Sequence, residues 1–395
     1  MKLVVVSHKE CWRTAPPSSQ YVTDGGFPLQ IKTLAEIFDS TVVVVPCDAQ
    51  ERVSGVTPLD DNLEMIPLQP LTGRGWSRKL SFPVWFLRNG RMIWDSIARA
   101  DAVHAPIPGD VGTIGIVFAL LMRKPLFVRH CGNWMAPKTI AEKIWKRGME
   151  FFAGGRNVML ATGGSAEPPS RRNPNVKWIF STSLKEAQMS NTASRSLSDD
   201  GSLRLITVSR QEPNKGTDRV IESLPQIAAS FPKVTLDVVG DGSMMPFLKK
   251  QAADLGVADR VTFHGKVRHP DVLGLLRSAD VFCYPTSASE GFPKVVVEAL
   301  SAGLPVITTP VSVLPMLIDE SCGIIIRDTS PESIAEAVKA VAGDRDKYEL
   351  LSTGAIGRAK GYTLERWRET IREHLMEAWG ERELRQSDAI RIPSL

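Results

Sequence analysis

The sequence predicts an α/β protein built from two doubly wound parallel sheets in tandem. Three observations carry this. Short runs of β-branched residues alternate with longer stretches of helical period, as expected for strands buried on both faces with helices between them. A polar, serine-rich stretch, "STSLKEAQMSNTASRSLSDDGSLR" (181–204), interrupts the alternation near the middle. The alternation then restarts on a fresh strand. At 395 residues the chain has room for two such domains.

In the first half, "KLVVVS" (2–7) is the opening strand. "GGFPLQIKTLAEIF" (25–38) starts with glycines and continues as a helix. "TVVVVP" (41–46) is the next strand. An amphipathic helix over 82–100 leads into the strand "DAVHAP" (101–106), the helix "TIGIVFALLMR" and the strand "PLFVRHC" (125–131). In the second half, strands are expected at 203–209, 234–240, 260–265, 280–285, 305–310 and 323–327. Helices are expected at 217–229, 244–255, 270–278, 293–302 and 331–342. A charged final helix, "RWRETIREHLMEAWGERELR", follows. The expected domains are 1–185 and 204–365, with a linker at 186–203 and a closing helix and tail at 366–395. Two such units imply a cleft between them, with ligands at the carboxyl ends of strands.

Composition narrows the function. Hydrophobic content of 43% and charged content of 23% are ordinary for a soluble globular chain. A formal charge of +4 demands no nucleic acid. Five scattered cysteines without a C-x-x-C pair point away from a disulfide framework or zinc site, toward a reducing compartment. "MKLVVVSHKE" reads as a strand rather than a leader, and no apolar run reaches bilayer length, so a cytoplasmic location is expected.

The chemistry gathers at the ends of the second-half strands. Arg210 and Lys215 follow the first of them in "SRQEPNKG". "GDG" (240–242) follows the second, and His264 and Gly265 end the third. Glu290 and the turn Gly291–Phe292–Pro293 follow the fourth. Pro293 suits the first position of a helix, where its missing N–H costs nothing. The helix N-terminus then attracts a phosphate. Glu290 can accept hydrogen bonds from sugar hydroxyls. Glu298, two turns further on, can hold a ribose diol. Arg210 and Lys215 can neutralise a diphosphate without a metal ion. A sugar, a diphosphate and a ribose make a nucleotide sugar.

"SRQEPNKG" followed by "EGFPKVVVEAL" resembles the signature of retaining glycosyltransferases of family 4, with the GT-B fold of two Rossmann-like domains facing across a cleft. "DGGFPLQIKTLAEIF" is similar to the family's N-terminal glycine loop, "FVRHCGNW" to a strand end of its N-terminal domain, and "VGDG" and "VTFHGKV" to its donor-base region. The resemblance implies donor roles for Arg210, Lys215, Glu290 and Glu298, with Gly265, Val267 and the Gly291–Pro293 turn beside them. It implies that Gly25 and Gly26 approach the donor phosphate and that His130 is the active-site histidine. It also implies a final helix that returns to the N-terminal domain. Ser209 stands where the family often has glycine, and "WIFSTS" stands where it often has a V-P-N-G turn. No metal and no cofactor are expected beyond the donor itself, with UDP sugars favoured over GDP sugars. The implied reaction moves a hexose or N-acetylhexosamine to an acceptor hydroxyl on a glycan, lipid-linked or small-molecule precursor. Two alternatives stay open: a GT-B nucleotide-sugar epimerase and a non-catalytic nucleotide-sugar-binding subunit. A dinucleotide oxidoreductase is disfavoured, because no G-x-G-x-x-G follows either first strand.

Read singly, each site residue has an ordinary reading. Glu290 is then a helix-terminus charge, Glu298 a structural ion pair, His130 and His104 hydrogen-bonded structural histidines, and Gly25–Gly26 a plain turn. The run 73–94 sets Arg74, Arg78, Lys79, Arg88 and Arg91 among Trp76, Trp85 and Trp94, and 138–152 repeats the mixture. These are either solvated faces of two packed helices or a surface that rests on anionic lipid with tryptophans in the headgroup layer, as a peripheral membrane protein would.

Overall fold

The computed structural model describes residues 1–14, 20–48, 56–71, 73, 76–137, 139–189 and 192–380, without the side chains of Val56 and Trp76. Arg74, Lys138, the Trp76 side chain, residues 190–191 of the expected linker and residues 381–395 of the tail lie outside that description. The chain divides into two compact units: Met1–Gly163 with Glu167–Ser183 and the chain from Leu364, and Leu184–Thr363 with Gly164–Ala166.

The first unit is a 10-stranded sheet. Its strands are β1 (Lys2–Val6), β2 (Cys11–Arg13), β3 (Tyr21–Asp24), β4 (Ser40–Asp48), β5 (Val56–Pro58), β6 (Glu64–Leu68), β7 (Ala102–Ile107), β8 (Leu126–His130), β9 (Asn157–Thr162) and β10 (Val176–Ile179). Their order is β10-β9-β8-β7-β1-β4-β2-β3-β5, with β6 also on β4. The valine runs of β1 and β4 pair in parallel, Leu3 to Thr41 through Val6 to Val44, and are buried on both faces. Helices α1 (Phe27–Ala35), α2 (Trp76–Ala98), α3 (Asp110–Leu121) and α4 (Ile140–Phe152) complete this part of the chain.

Two expectations change here, and one holds. The glycine turn does not follow the first strand directly, because β2 and β3 intervene as an antiparallel pair. The buried Cys11, Trp12 and Val22 are the apolar positions that extend the sheet past β4. Helix α2 starts earlier than residue 82 and carries Pro83 within it. That proline faces solvent, where water can satisfy the carbonyl it leaves unpaired. The final helix (Leu364–Trp379) belongs to this unit. Leu364, Trp367, Ile371 and Leu375 recur at helical spacing and are fully buried, the last three in one core cluster with Phe38, Phe127 and Leu160.

The second unit is a six-stranded parallel sheet of β11 (Ser202–Val208), β12 (Lys233–Val239), β13 (Val261–Gly265), β14 (Val281–Tyr284), β15 (Val306–Thr308) and β16 (Gly323–Ile325), in the order β13-β12-β11-β14-β15-β16. Helices α5 (Thr217–Ser230), α6 (Met245–Asp254), α7 (His269–Ser278), α8 (Lys294–Ser301), α9 (Leu314–Leu317), α10 (Pro331–Ala342) and α11 (Arg345–Ala359) surround it. Winding runs outward from β11 to β13, then reverses to β14. The crevice between β11 and β14 is therefore the switch point where ligands enter such sheets. The described part of the 186–203 stretch is not a free linker. Met189 is buried in this unit's core beside the neighbouring Leu184, and the Arg195 amide donates to Ser352 Oγ at 2.9 Å.

Replacing Trp367 with alanine removes a fully buried indole and should destabilise the first unit by about 3–5 kcal/mol. Denaturant titration of the full chain should show an earlier transition with tryptophan and helix signal lost together. An unchanged midpoint would mean that the final helix contributes no packing.

Candidate active site

At the C-terminal edge of the second sheet a cavity of 540 Å³ opens between the β11, β12 and β14 loops. Arg210, Lys215, Val267, Glu290, Phe292 and Pro293 line it together, joined by Ser209, Asp241, Lys266, Tyr284 and Lys294. Four of its lining residues are basic and two acidic, so the wall favours an anion.

The loops that build this wall need unusual backbone. Gly240 has φ +111°, and a Cβ there would sit 1.8 Å from the Ser209 carbonyl oxygen. Gly216 has φ +78°, and its Cβ would meet the Pro285 carbonyl at 2.2 Å. Both glycines let the β11 loop lie directly against its neighbours. Gln211, fully buried, ties the same loop down by donating to the Ser209 and Val239 carbonyls at 3.1 and 3.0 Å.

Lys215 is only 7% exposed and its ammonium pairs with Glu290 Oε1. Tyr284 donates its hydroxyl to Glu290 Oε2 at 2.8 Å. Burial, with the Glu290 charge behind it, pushes the Tyr284 phenol well above its usual range, so it remains a donor. Arg210 is exposed, and its guanidinium makes no ion pair or hydrogen bond with the described residues. Pro293 is the cap of α8 rather than its first residue, with φ −82° and ψ 91°, and no side chain caps this N-terminus. The extended ψ holds the proline just outside the helix, and the first turn begins at Lys294. Gly265, with φ +63°, and Gly291 do not line the cavity themselves but precede the lining residues Lys266 and Phe292 in the chain.

Glu298 sits inside α8, 6% exposed, and does not line that cavity. His269 Nε2 holds its Oε1 at 2.8 Å from the first turn of α7. That hydrogen bond raises the His269 pKa above its ordinary value, against the opposing effect of burial. Sequence reading missed His269 and Tyr284. Neither lies at a motif spacing from its glutamate, although both stand at ends of elements already expected.

Gly25, Gly26 and His130 belong to the first unit. Gly26 is the N-cap of α1 and offers no side chain, while Gly25, at φ +72°, has open space where a Cβ would point. His130 ends β8, buried, with its ring edge-on to Trp134 at 5.3 Å. Burial lowers its pKa, and its Nδ1 has no partner among the described residues.

Residues 189–358 match the family described as glycosyl transferases group 1. The match falls within the second unit. It is 34% identical over 161 residues to a GDP-mannose-dependent alpha-(1-6)-phosphatidylinositol monomannoside mannosyltransferase of Mycobacterium tuberculosis, covering 39% of this chain and 41% of that protein. It is 33% identical over 144 residues to the phosphatidylinositol N-acetylglucosaminyltransferase gpi3 subunit of Schizosaccharomyces pombe, covering 36% and 31%. The chain thus spans about two fifths or less of the length of these relatives. Among solved structures, Anabaena Alr3699/HepE in complex with UDP superposes with a TM-score of 0.68 at 17% identity, over 95% of this chain and 100% of that one. WaaG, a glycosyltransferase involved in lipopolysaccharide biosynthesis, superposes with a TM-score of 0.61 at 17% identity, over 94% and 99%. The fold is GT-B.

The His269–Glu298 pair makes stability depend on pH. Folding raises the His269 pKa, so its contribution is complete below the unfolded value of about 6.5 and fades as pH rises through the raised value. The difference in thermal midpoint between wild type and His269→Gln should therefore shrink from about pH 6 to about pH 9. A difference that grows with pH would contradict the pairing.

Proposed function

We propose that the chain is a retaining, metal-independent glycosyltransferase that moves a hexose or N-acetylhexosamine from a nucleoside diphosphate sugar to an acceptor hydroxyl. The observation that carries this reading is the convergence of Arg210, Lys215 and Glu290 on one cavity beside the uncapped N-terminus of α8. The diphosphate lies between the two cations and the helix terminus. Glu290, already holding Lys215 and Tyr284, has lone pairs left for a sugar hydroxyl. Glu298 takes the ribose. His130 serves the sugar from the first unit, and Gly25–Gly26 approach the phosphate.

In the transfer, the bond from the sugar's anomeric carbon to the phosphate oxygen breaks and the bond to the acceptor oxygen forms on the same face. The acceptor proton passes to the departing phosphate oxygen. The protein supplies position and charge stabilisation. UDP sugars are the expected donors, while the mycobacterial relative is named for GDP-mannose. A thermal-shift panel of UDP, GDP and ADP sugars separates these, and the products formed separate transfer from epimerisation or binding alone.

The acceptor we infer is lipid-linked. Among the described residues no helix is long and apolar enough to cross a membrane. Helices α2 and α4 instead each carry an exposed apolar stripe at helical spacing. Leu80, Val84 and Leu87 form one, and Ile140, Ile144 and Phe151 the other, with Leu87 81% and Phe151 80% exposed. Lys79, Arg88 and Arg91 border the first, and Lys143 and Arg147 the second; all five are exposed. The lipid face differs from the tryptophan-studded one expected from sequence. Trp85 is buried and donates to the Gln69 carbonyl at 2.6 Å, and Arg78 is paired with Asp110 at 2.8 Å. Of the three tryptophans of that run, Trp94 is the one whose described side chain reaches solvent, at 41% exposure.

Glu298→Ala should raise the donor Michaelis constant by roughly 1.5–3 kcal/mol in binding terms, and an unaltered value would remove Glu298 from the site. Arg210→Ala and Lys215→Ala should lower turnover more than donor affinity, because leaving-group charge develops in the transition state. Activity should survive EDTA; loss restored by magnesium would overturn the metal-free mechanism.

For the surface, each exposed basic residue near anionic lipid is worth about 1 kcal/mol. The protein should co-sediment with phosphatidylglycerol vesicles at low salt and detach at high salt. Changing Leu87 and Phe151 to serine together with Arg88 and Arg147 to glutamine should abolish this and leave nucleotide binding intact. Wild type that ignores such vesicles would point to a soluble acceptor.

A further inference from the structure

Two of the five cysteines meet in the first unit. Strands β2 and β4 pair in parallel with Cys11 directly opposite Cys47. Register partners on parallel strands project to the same face. Neighbouring strands lie about 4.8 Å apart, inside the Cα separation of about 4.4–6.8 Å that disulfides bridge. Both thiols are free, and each is the largest influence on the other's ionisation. Cys11 is buried and Cys47 half-buried. Of the others, Cys131 is exposed, while Cys283 and Cys322 are buried in the second unit.

We propose that Cys11 and Cys47 are a redox modification site that closes to a reversible intramolecular disulfide. That mutual influence supports the direction of attack. It raises the Cys11 pKa and lowers that of Cys47, so Cys47 is the thiol that ionises more readily. With a peroxide as oxidant, Cys47 sulfur attacks one peroxide oxygen, giving a sulfenic acid and water. Cys11 sulfur then attacks the Cys47 sulfur, and a second water leaves. Two thiols are oxidised and one peroxide is reduced. In a reducing compartment the dithiol is the resting form.

The crosslink reaches the glycine turn. Strand β2 pairs with β3, whose last residue, Asp24, precedes Gly25. Lys9 pairs with Asp24, and Thr23 Oγ1 donates to the Glu10 carbonyl at 2.7 Å. Fixing Cys11 to Cys47 anchors this hairpin to the central strand β4. The coupling bears on donor binding only if the proposed role of the glycine turn holds, whereas disulfide formation is independent of that role.

The test uses the full chain with Cys131→Ser, which removes the exposed competitor. The folded protein is treated with hydrogen peroxide, alkylated before denaturation, and mapped without reduction. The expected product is a Cys11–Cys47 crosslinked peptide, lighter by two hydrogens and reopened by dithiothreitol. A Cys47→Ser variant should leave Cys11 alkylatable only after unfolding. Hydrogen exchange over 20–26 should slow in the oxidised form. Recovery of Cys11 and Cys47 peptides without a crosslink overturns the site. A crosslink with unchanged exchange over 20–26 overturns the coupling to the glycine turn.

Discussion

The buried pairing of Lys215 with Glu290 is the constraint on which the second unit's site depends. An ammonium at 7% exposure is costly to bury without a partner, and the partner comes from a loop 75 residues further along the chain. The pair draws the β11 loop against the β14 loop at the topological switch point. Other contacts stitch the same seam. The Asn214 carbonyl accepts from the Ser287 amide and from Thr286 Oγ1, both at 3.0 Å. Gly216 then has no room for a side chain. Tyr284 fixes the second oxygen of Glu290, so the carboxylate has one orientation before any ligand arrives.

That pairing also divides the labour between the two cations. Lys215 is committed to Glu290 and can meet a phosphate only by sharing or exchanging that partner. Arg210 has no such commitment. Its planar fork faces the same cavity with full charge available. A ligand that brings two or more negative charges answers both needs. It satisfies Arg210 outright and relieves the competition between Lys215 and Glu290. The α8 terminus adds a third, fixed source of positive potential.

The sequence made the skeleton legible wherever one face or both of a strand were uniformly apolar. The valine runs at 2–6 and 41–45 and each second-half strand appear within a residue or two of their expected places. Irregular additions were hidden. The β2–β3 pair is short and mixed in polarity. Helix α11, "RDKYELLSTGAIGRA", carries small residues and glycines that blur its period. In the site, charged residues at loop positions after strands were readable, because strand ends in a parallel sheet converge. Their partners were not. Tyr284 meets Glu290 and His269 meets Glu298 through packing of separate elements, and no sequence interval encodes that. The run 73–94 failed for a related reason. Its tryptophans looked alike in sequence, yet helical rotation sends Trp85 into the core and leaves Leu80 and Leu87 outside.

The two strand histidines show how burial decides what a motif leaves open. His104 lies in β7 directly across from Phe127 in β8, stacked on its ring at 4.2 Å. Its Nδ1 meets the Phe127 carbonyl at 3.0 Å, and full burial with Arg129 nearby pushes its pKa down to about 3. It is a neutral packing element of the sheet. His130 ends the neighbouring strand as its last rung, opposite Ile107 of β7 and Ala161 of β9. It is also held neutral by burial, but at a strand end, beside Gly132 and Trp134. Position along the strand separates the two residues by degree: both are buried rungs of the ladder, His104 in the middle of its strand and His130 at the last rung, where the loop to Gly132 and Trp134 begins.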